Sequence, residues 1–373
     1  MVLSTADFDS EVWTNKQHLS LGLANRGARV IYIESLGLRQ PQFSGSDLRR
    51  LVSKLFAKAH PGEAAERPSN LEVVAPRVIP LHRHRFIRWI NRAIMDGTIK
   101  RRLPSSYILW TFSPLTYGLE TRAQAVIYHS VDLLHTLPRL PARVLQDAES
   151  RLLGRADEVI ASSKGVASHL RALGRDGVLL WENVADTELF AGAITERGYQ
   201  AIFAGNLTPS KVDVELLQEL VEAGIPLVLA GPKGIDGTGD AQFDGLLLDS
   251  RVTYLGNLSL SELARQVGMS KVGLIPYRLN GYTGGVFPMK VFEYLSAGLS
   301  VVSTELPSLI GSEIPGLELA TRITFVDEVR KALDGFDDRE ALNRQEFAMS
   351  RSWRERVDQA VNLLDRVSPE RST

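Results

Sequence analysis

The chain has 373 residues, of which 44% are hydrophobic and 23% charged, as in ordinary globular proteins. One hydrophobic core rarely serves so long a chain, so the length predicts two domains. Cysteine is absent, which excludes disulfides, thiolate catalysis and cysteine-ligated metal, and agrees with a reducing compartment. No export signal and no apolar run of about 20 residues occurs. These features predict a soluble, cytoplasmic protein.

Charge is divided unevenly along the chain, although the net charge is only −1. Residues 1–185 hold 25 Lys/Arg against 17 Asp/Glu, whereas the remainder holds 18 against 27. Residues 48–102 contribute most of the positive excess, with 13 Lys/Arg against 4 Asp/Glu. The first half is therefore expected to meet anions.

Short β-branched runs alternate with amphipathic stretches throughout, which is typical of βαβ units and parallel sheets covered by helices. The strands predicted in the first half are Val2–Thr5, Arg29–Ile33, Tyr107–Trp110, Ala125–Tyr128, Val159–Ser162 and Val178–Trp181. Those predicted in the second half are Gln200–Ala204, Leu227–Ala230, Val252–Leu255, Val272–Pro276, Leu299–Ser303 and Ile323–Val326. Two sets of about six strands predict an α/β protein with two doubly wound, Rossmann-like domains.

The domain boundary is predicted within residues 183–190, which contain turn formers and no hydrophobic periodicity. The N-terminal domain then comprises residues 1–185 and the C-terminal domain residues 186–343. Apolar residues at helical spacing predict a long amphipathic helix over residues 344–367, which is expected to pack back on the first domain.

A glycine-rich segment, residues 281–298, follows the predicted strand that ends at Pro276. Glycines free backbone amides to line a concavity, and a helix N-terminus adds positive charge, so this segment predicts a phosphate site. Lys290 and Glu293 share one helix face, where an ammonium could meet a phosphate and a carboxylate could bind ribose hydroxyls. The alternative is a surface ion pair. Three further candidates lie in the loop: Tyr282, Gly284 and Gly285.

A second loop of similar character, residues 203–211, follows the first predicted strand of the second domain. In open parallel sheets, ligands bind beyond the carboxyl ends of strands, and both loops lie at such ends. Gly205, Asn206 and Lys211 are therefore further candidates, with Lys211 as a second cation for a diphosphate. The alternative for Lys211 is a solvated lysine at a helix start.

The arrangement of these loops, with residues 183–190 as a hinge, resembles the GT-B fold glycosyltransferases of family 4, particularly the teichuronic-acid (TuaH-like) branch. The resemblance covers nearly the whole chain and implies two Rossmann-like domains that face each other across a cleft. It implies that four residues contact the diphosphate and ribose of a nucleotide sugar, with UDP favoured: Gly205, Lys211, Lys290 and Glu293.

Met289 and Lys290 are also similar to the Met-Lys pair in the donor site of the xanthan-assembly glucuronosyltransferases. The segments 230–232 and 255–257 resemble base-binding and phosphate-binding loops of the family, which adds Gly231 and Gly256 to the implied site. The family 4 motif has a glutamate eight residues before Glu293, where this chain has Gly285. The sugar and the stereochemistry stay open.

Residues 129–135 follow the predicted strand Ala125–Tyr128, again at a carboxyl end. An acceptor hydroxyl must lose its proton when it attacks the anomeric carbon, so a carboxylate or imidazole is expected here. Asp132 is the candidate general base and His129 a second catalytic candidate. The alternatives are a helix N-cap for Asp132 and a structural role for His129. The related branch has Tyr-Asp-x-x-Asp at this position, with an aspartate where this chain has His129.

Residues 7–18 resemble the opening loop of the family, with Trp13 and Gln17 matching a Trp-x₃-Gln pattern. The resemblance implies that Asp7, Trp13 and Gln17 lie beside the acceptor. Asp7 and Asp9 also match a metal-binding motif of the other glycosyltransferase fold, but the GT-B class holds its phosphates without metal. No metal and no cofactor are expected.

Residues 48–102 place apolar residues at helical spacing among the basic ones, first over residues 48–59 and again over residues 86–94. This composition predicts adsorption to an anionic membrane. The alternatives are a solvated helix on the sheet or nucleic-acid binding, and no nucleic-acid motif accompanies the charge. A membrane face predicts a lipid-linked acceptor and a peripheral location on the inner face of the plasma membrane.

Together these features predict a glycosyltransferase. It would move a sugar from a nucleotide diphosphate sugar to a lipid-linked or glycan acceptor in surface polysaccharide or glycolipid assembly. One deprotonating carboxylate with direct attack would invert the anomeric centre, and a retaining outcome stays open. The alternative is a nucleotide-sugar epimerase or a non-catalytic nucleotide-sugar-binding protein of the same fold.

Overall fold

A computed structural model describes residues 1–10, 13–38, 67–99, 102, 104, 106–137, 140–233 and 241–368. The chain divides into two compact units: Met1–Glu182 with Arg356–Thr373, and Asn183–Glu355. The first apolar set of the basic stretch, residues 48–59, lies outside the described residues. Within the described part, no helix is long and apolar enough to cross a membrane.

The first unit is built on a parallel sheet. Its strands are β1 (Val2–Leu3), β2 (Val30–Ile33), β3 (Leu71–Val74), β4 (Ile108–Thr111), β5 (Ala125–Ser130), β6 (Glu158–Ala161) and β7 (Val178–Leu180). Their order across the sheet is β3-β2-β1-β4-β5-β6-β7. Its helices are α1 (Asn15–Asn25), α2 (Arg85–Ile99), α3 (Ala142–Leu153) and α4 (Lys164–Ala172), with 3₁₀ helices at Leu119–Thr121 and Leu134–Thr136.

Successive residues of these strands face opposite sides of the sheet, and both sides are buried. Leu109, Tyr128 and Val159 belong to one apolar cluster. Their neighbours in sequence belong to the other: Trp110, Ile127 and Ile160. Continuous apolar runs therefore form these strands because helices cover both faces.

The second unit repeats this architecture. Its strands are β8 (Ala201–Ala204), β9 (Leu227–Ala230), β10 (Val252–Tyr254), β11 (Val272–Ile275), β12 (Ser300–Thr304) and β13 (Leu317–Ala320). They are parallel, in the order β10-β9-β8-β11-β12-β13. Its helices are α5 (Thr187–Gly192), α6 (Val214–Glu222), α7 (Ala241–Leu246), α8 (Leu260–Gly268), α9 (Lys290–Ser296), α10 (Phe325–Asp334) and α11 (Asp338–Met349), with a 3₁₀ helix at Thr283–Gly285.

Two strand assignments differ from the sequence prediction. The predicted strand Ile323–Val326 is wrong, because α10 begins there and Ile323 is 91% exposed. The residues that α10 buries recur at helical spacing, and they are Phe325, Val329 and Leu333. The last strand is β13, just before this helix. The edge strand β3 was not predicted, and it buries only Leu71 and Val74.

The predicted linker and the predicted C-terminal helix also differ from the structure. Part of the linker is helical, since the Asp186 side chain accepts a hydrogen bond from the Leu189 amide and caps α5. The long helix predicted over residues 344–367 is interrupted after Met349 and resumes as α12 (Trp353–Val367). Between the two helices, the backbone of residues 351–353 is hydrogen-bonded to Ala185. Residues 351–353 therefore cannot continue α11.

The part of α12 within the first unit packs against α1. A Cβ atom at Gly22 of α1 would overlap the Val357 side chain, so glycine permits this close approach. Arg26 forms an ion pair with Asp358. Arg356 donates a hydrogen bond to the Glu182 carbonyl oxygen at 2.7 Å. The C-terminal helix is thus an integral element of the first unit.

Candidate functional site

The chain order of the strands reverses at the centre of the second sheet, where β8 lies between β9 and β11. Such a switch point leaves a crevice beyond the carboxyl ends of the strands, where ligands bind in doubly wound folds. Gly205 follows β8 with φ 151°, Gly231 follows β9 with φ 127°, and Gly256 comes shortly after β10 with φ 66°. All three conformations lie where side chains are strained and glycine is favoured.

Gly205 and Gly231 are also required because any side chain at these positions would overlap its neighbours. A Cβ atom at Gly205 would lie 2.6 Å from Cε and 2.8 Å from Nζ of Lys290. A Cβ atom at Gly231 would overlap the carbonyl oxygen of Gly205. The Lys290 side chain therefore lies directly against the backbone at the end of β8, in space that any larger residue would fill.

The glycine amides do not line an open concavity, contrary to the expectation from the sequence. Each donates a hydrogen bond to a backbone carbonyl oxygen: Gly205 to Ala230 (2.8 Å), Gly231 to Gly256 (2.6 Å), Gly284 to Asn280 (2.9 Å) and Gly285 to Tyr282 (3.1 Å). These bonds connect neighbouring strand ends and close the glycine-rich turn. The positive charge needed to bind an anion must therefore come from side chains.

Two lysines beside a tyrosine supply that positive charge, and we call Lys211, Tyr277 and Lys290 the cationic cluster. The Lys211 Nζ atom lies 4.6 Å from the centre of the Tyr277 ring. Burial acts to raise the pKa of Tyr277, but the ammonium groups of Lys211 and Lys290 bring it below its ordinary value. Burial acts to lower the pKa of Lys290, whereas Tyr277 and Glu293 raise it. Lys290 is therefore a firmly protonated cation at the switch point.

The two loops predicted to form one site are joined by Asn280. Its Oδ1 atom accepts hydrogen bonds from the amides of Tyr282 and Thr283, each at 3.0 Å, which explains the turn at this point. Its Nδ2 atom donates to the Ser210 carbonyl oxygen at 2.9 Å, in the loop after β8. The start of the glycine-rich segment and residues 203–211 are thus brought together.

Lys290 and Glu293 both lie on α9, whose N-cap is Met289, and both are half-buried. Burial raises the pKa of Glu293, Lys290 lowers it, and Asp186 raises it further. This environment differs from the solvated surface pair that was the alternative prediction.

The remaining candidates of the second unit are less constrained. Asn206 is exposed. At Gly284 an added Cβ atom would meet no heavy atom within 4 Å among the described residues. Glycine at position 284 is therefore not required by packing within this chain.

In the first unit, His129 lies inside β5 rather than in the following loop, where the sequence prediction placed it. It is 1% exposed, and its ring centre is 4.8 Å from that of Phe112 and 6.0 Å from that of Trp181. Among the described residues, neither ring nitrogen has a hydrogen-bond partner. Burial holds the pKa of His129 well below its ordinary value, and the charges of Arg356 and Lys16 lower it further. The imidazole is therefore neutral.

Asp132 follows β5 and is half-buried. The 3₁₀ helix that comes next is capped by Leu133, so Asp132 is not its N-cap. Burial lowers the pKa of Lys16, and the Asp132 carboxylate raises it. The Lys16 Nζ atom lies 5.8 Å from the centre of the Phe112 ring, on the residue after β4. Lys16 thus connects the opening loop to the carboxyl ends of β4 and β5.

Gln17 is buried and shapes the opening loop. Its Nε2 atom donates to the Asp7 carbonyl oxygen at 3.0 Å and to Ser10 Oγ at 2.8 Å. Its Oε1 atom accepts from the Thr14 amide at 3.1 Å, within the capping box of α1. Trp13 is half-buried in the same loop. The contact of these side chains with an acceptor stays a prediction.

The Asp7 and Asp9 side chains, which match a metal-binding motif, are both exposed. Asp9 forms an ion pair with Arg67. The guanidinium of Arg67 lies 5.1 Å from the centre of the Phe8 ring. One of the two carboxylates of the motif, that of Asp9, is therefore paired with an arginine.

Sequence reasoning missed Tyr277 and Lys16. Tyr277 comes two residues after the end of β11, so its place beyond a carboxyl end was the available signal. Lys16 precedes Gln17, and only the fold reveals that this lysine is buried beside Phe112.

The substitution Gly231→Ala should lower the free energy of unfolding by about 1–3 kcal/mol, because a strained φ and a backbone overlap coincide there. Urea denaturation measures the change. The matched control is Gly284→Ala, which should shift the free energy by no more than about 0.5 kcal/mol. Equal stability of the two variants would contradict the close approach at the switch point.

No family model matches the chain. A relative in Bacillus subtilis (strain 168), TuaH, whose name describes a teichuronic acid biosynthesis glycosyltransferase, is 31% identical over 215 residues. The match spans about half of each protein, 54% of this chain and 52% of the relative. The predicted resemblance to the TuaH-like branch is confirmed as a similarity over this part.

Solved structures match over nearly the whole chain. Sucrose-phosphate synthase from Thermosynechococcus elongatus has a TM-score of 0.73 at 15% identity, with 98% of each chain covered. The Anabaena protein HepE in complex with UDP-glucose has a TM-score of 0.64 at 14% identity, with 97% of this chain and 99% of that chain covered. The predicted fold class is confirmed: the chain has two doubly wound α/β domains and the fold of GT-B glycosyltransferase structures.

Proposed function

We propose that this chain is a glycosyltransferase that moves a sugar from a nucleotide diphosphate sugar, with a UDP-sugar favoured, to a glycan or lipid-linked acceptor. The observation that carries the proposal is the cationic cluster, whose Lys290 side chain lies against Gly205 at the switch point of the second sheet. The similarity to TuaH and to a fold that binds UDP-glucose in HepE supports the same conclusion.

In this proposal Lys211 and Lys290 neutralise the diphosphate, since the glycine amides beside them are already hydrogen-bonded. Two ammonium groups can compensate the phosphate charge, so this donor site includes no metal. Glu293 accepts hydrogen bonds from the ribose hydroxyls, and Gly231, Gly256 and Met289 border the nucleotide.

In the transfer step, Asp132 accepts the proton of the acceptor hydroxyl while that oxygen attacks the anomeric carbon. The bond between the anomeric carbon and the diphosphate breaks, and the nucleotide diphosphate leaves with the bonding electron pair. A single displacement of this kind inverts the anomeric centre. The acceptor belongs to the assembly of a surface polysaccharide or glycolipid.

UDP should stabilise the purified protein against heat, by about 2.7 kcal/mol at 100 times its dissociation constant. Thermal denaturation with UDP, GDP, dTDP and ADP measures the nucleotide preference. Lys290→Ala and Glu293→Gln should each reduce the stabilisation by UDP, because they remove a phosphate contact and a ribose contact. The control Lys271→Ala changes another lysine of the same unit, which lies over aromatic rings, and should retain the full stabilisation. Absence of stabilisation by every nucleotide would contradict the proposed donor site.

Asp132→Asn should lower kcat for sugar transfer by about 10²- to 10⁴-fold, the usual contribution of a general base. Stabilisation by UDP should stay unchanged, because the donor lies on the second unit. The assay measures UDP release from a panel of UDP-sugars, with and without lipid-linked acceptors. The exposed carboxylate of Asp147 provides the matched control, Asp147→Asn.

The two alternatives give different results in that assay. An epimerase converts the donor sugar without any acceptor. A binding protein releases no UDP with any acceptor, and its Asp132→Asn variant behaves as the parent protein. Either result would contradict the transferase proposal while leaving the donor site intact.

We further propose that α2 contacts an anionic membrane at the inner face of the plasma membrane. Phe86 and Trp89 are 68% and 66% exposed, and their rings stack at 5.9 Å. Arg88, Arg92 and Arg151, together with Trp89, line a cavity of about 350 Å³. Exposed aromatic rings beside arginines match the chemistry of an anionic lipid surface.

The protein should sediment with vesicles of phosphatidylcholine and phosphatidylglycerol, and less with phosphatidylcholine alone. The double variant Phe86→Ser/Trp89→Ser should weaken binding at least about tenfold, since it removes two exposed apolar groups. The control Leu248→Ser changes an apolar residue of the second unit that is 86% exposed. Vesicle binding that is unaffected by the double variant, or nucleic-acid binding of greater strength, would contradict the membrane assignment.

A further inference from the structure

Two histidines and a glutamate of the first unit converge outside the proposed transfer site. His135 lies on the 3₁₀ helix Leu134–Thr136, Glu149 on α3 and His169 on α4. Their potential ligand atoms all lie within 4.8 Å of one another. His169 Nε2 is 2.8 Å from Glu149 Oε2, and the two imidazole rings stack with their centres 4.5 Å apart.

Glu149 is the buried centre of this group, with 8% of its side chain exposed. Its Oε1 atom accepts a hydrogen bond from the Tyr128 hydroxyl at 2.5 Å. The other oxygen, Oε2, is directed to His169. A hydrogen-bond donor behind a carboxylate is the arrangement that fixes metal-binding carboxylates in proteins.

We propose that His135, Glu149 and His169 bind one divalent transition-metal ion, with Zn²⁺ as the best match. Two imidazoles and one carboxylate are a known ligand set for zinc that leaves a fourth position for water. Zinc bonds of about 2.0–2.2 Å place ligand atoms about 3.3 Å apart in a tetrahedral site. The separations of at most 4.8 Å in the chain require only small side-chain movements to reach that geometry.

A metal site also needs a path by which the ion enters. His135 and His169 are both partly exposed, so an ion can reach them from solvent.

A bound ion would connect three elements that are distant in sequence. The 3₁₀ helix that carries His135 begins two residues after Asp132, so the ion would hold this turn against α3 and α4. The site is separate from the cationic cluster, which lies on the second unit. Its role in this proposal is to position the turn, and the metal takes no part in sugar transfer.

Metal binding is tested on the full chain after treatment with EDTA and removal of the chelator. Titration with Zn²⁺ should give one bound ion per chain and a rise in the melting temperature of the protein. Co²⁺ should bind at the same site and produce visible absorption, which Zn²⁺ then abolishes by competition. Binding of no ion, or of several weak ions without a change in melting temperature, would overturn the proposal.

Variants locate the ion. His135→Ala and Glu149→Gln should each weaken Zn²⁺ binding at least about tenfold, and Tyr128→Phe should weaken it by about 10- to 100-fold through the orientation of Glu149. The exposed His84 provides the control, because His84→Ala should bind Zn²⁺ as the parent protein does. Where Glu149→Gln fails to fold, His135→Ala decides, since His135 is on a partly exposed turn. Unchanged affinity in His135→Ala would assign the cluster to a metal-free hydrogen-bonded pair with a stacked histidine.

Discussion

Parallel pairing around a central first strand is the constraint on which both candidate sites depend. In each unit the first strand lies inside the sheet. The next two strands are added on one side of it, and the chain then crosses over to add the remaining strands on the other side. The strand ends at this reversal cannot both be covered by their own connections. The crevice left there collects Gly205, Lys211 and Tyr277 in the second unit, and Lys16 and Phe112 in the first.

In the second unit, the crevice proposed to bind the diphosphate relies on missing side chains rather than on free amides. The amides of Gly205 and Gly231 are consumed by hydrogen bonds between neighbouring strand ends. At Gly231 the strand ends are so close that a Cβ atom would overlap the Gly205 carbonyl oxygen, and a Cβ atom at Gly205 would take the space of the Lys290 side chain. Removing side chains from the strand ends thus allows a lysine to lie at the centre of the crevice.

The first unit contains buried polar groups whose desolvation is offset by specific neighbours or by neutrality. The buried Lys16 amine has Asp132 as an opposite charge and the Phe112 ring nearby. Glu149 has the Tyr128 hydroxyl on one oxygen and His169 on the other. His129 has neither charge nor a described hydrogen-bond partner, and burial keeps it neutral. Each group is stable at its position because a specific neighbour or its own neutrality offsets desolvation.

The sequence by itself determined the two-domain α/β fold, all strands of the sheets except β3 and β13, and the segments that contain Gly205 and Lys290. These follow from local patterns: apolar runs of strand length, and glycines directly after them. The strand predicted at Ile323–Val326 is wrong because β-branched residues also occur at the start of a helix, and the residues buried here, Phe325, Val329 and Leu333, follow helical spacing. The tertiary structure alone decided that Tyr277 lies near Lys211 and Lys290 and that His135, Glu149 and His169 meet. The physical reason is that these neighbours come from separate elements, whose proximity depends on strand order and helix packing rather than on local periodicity.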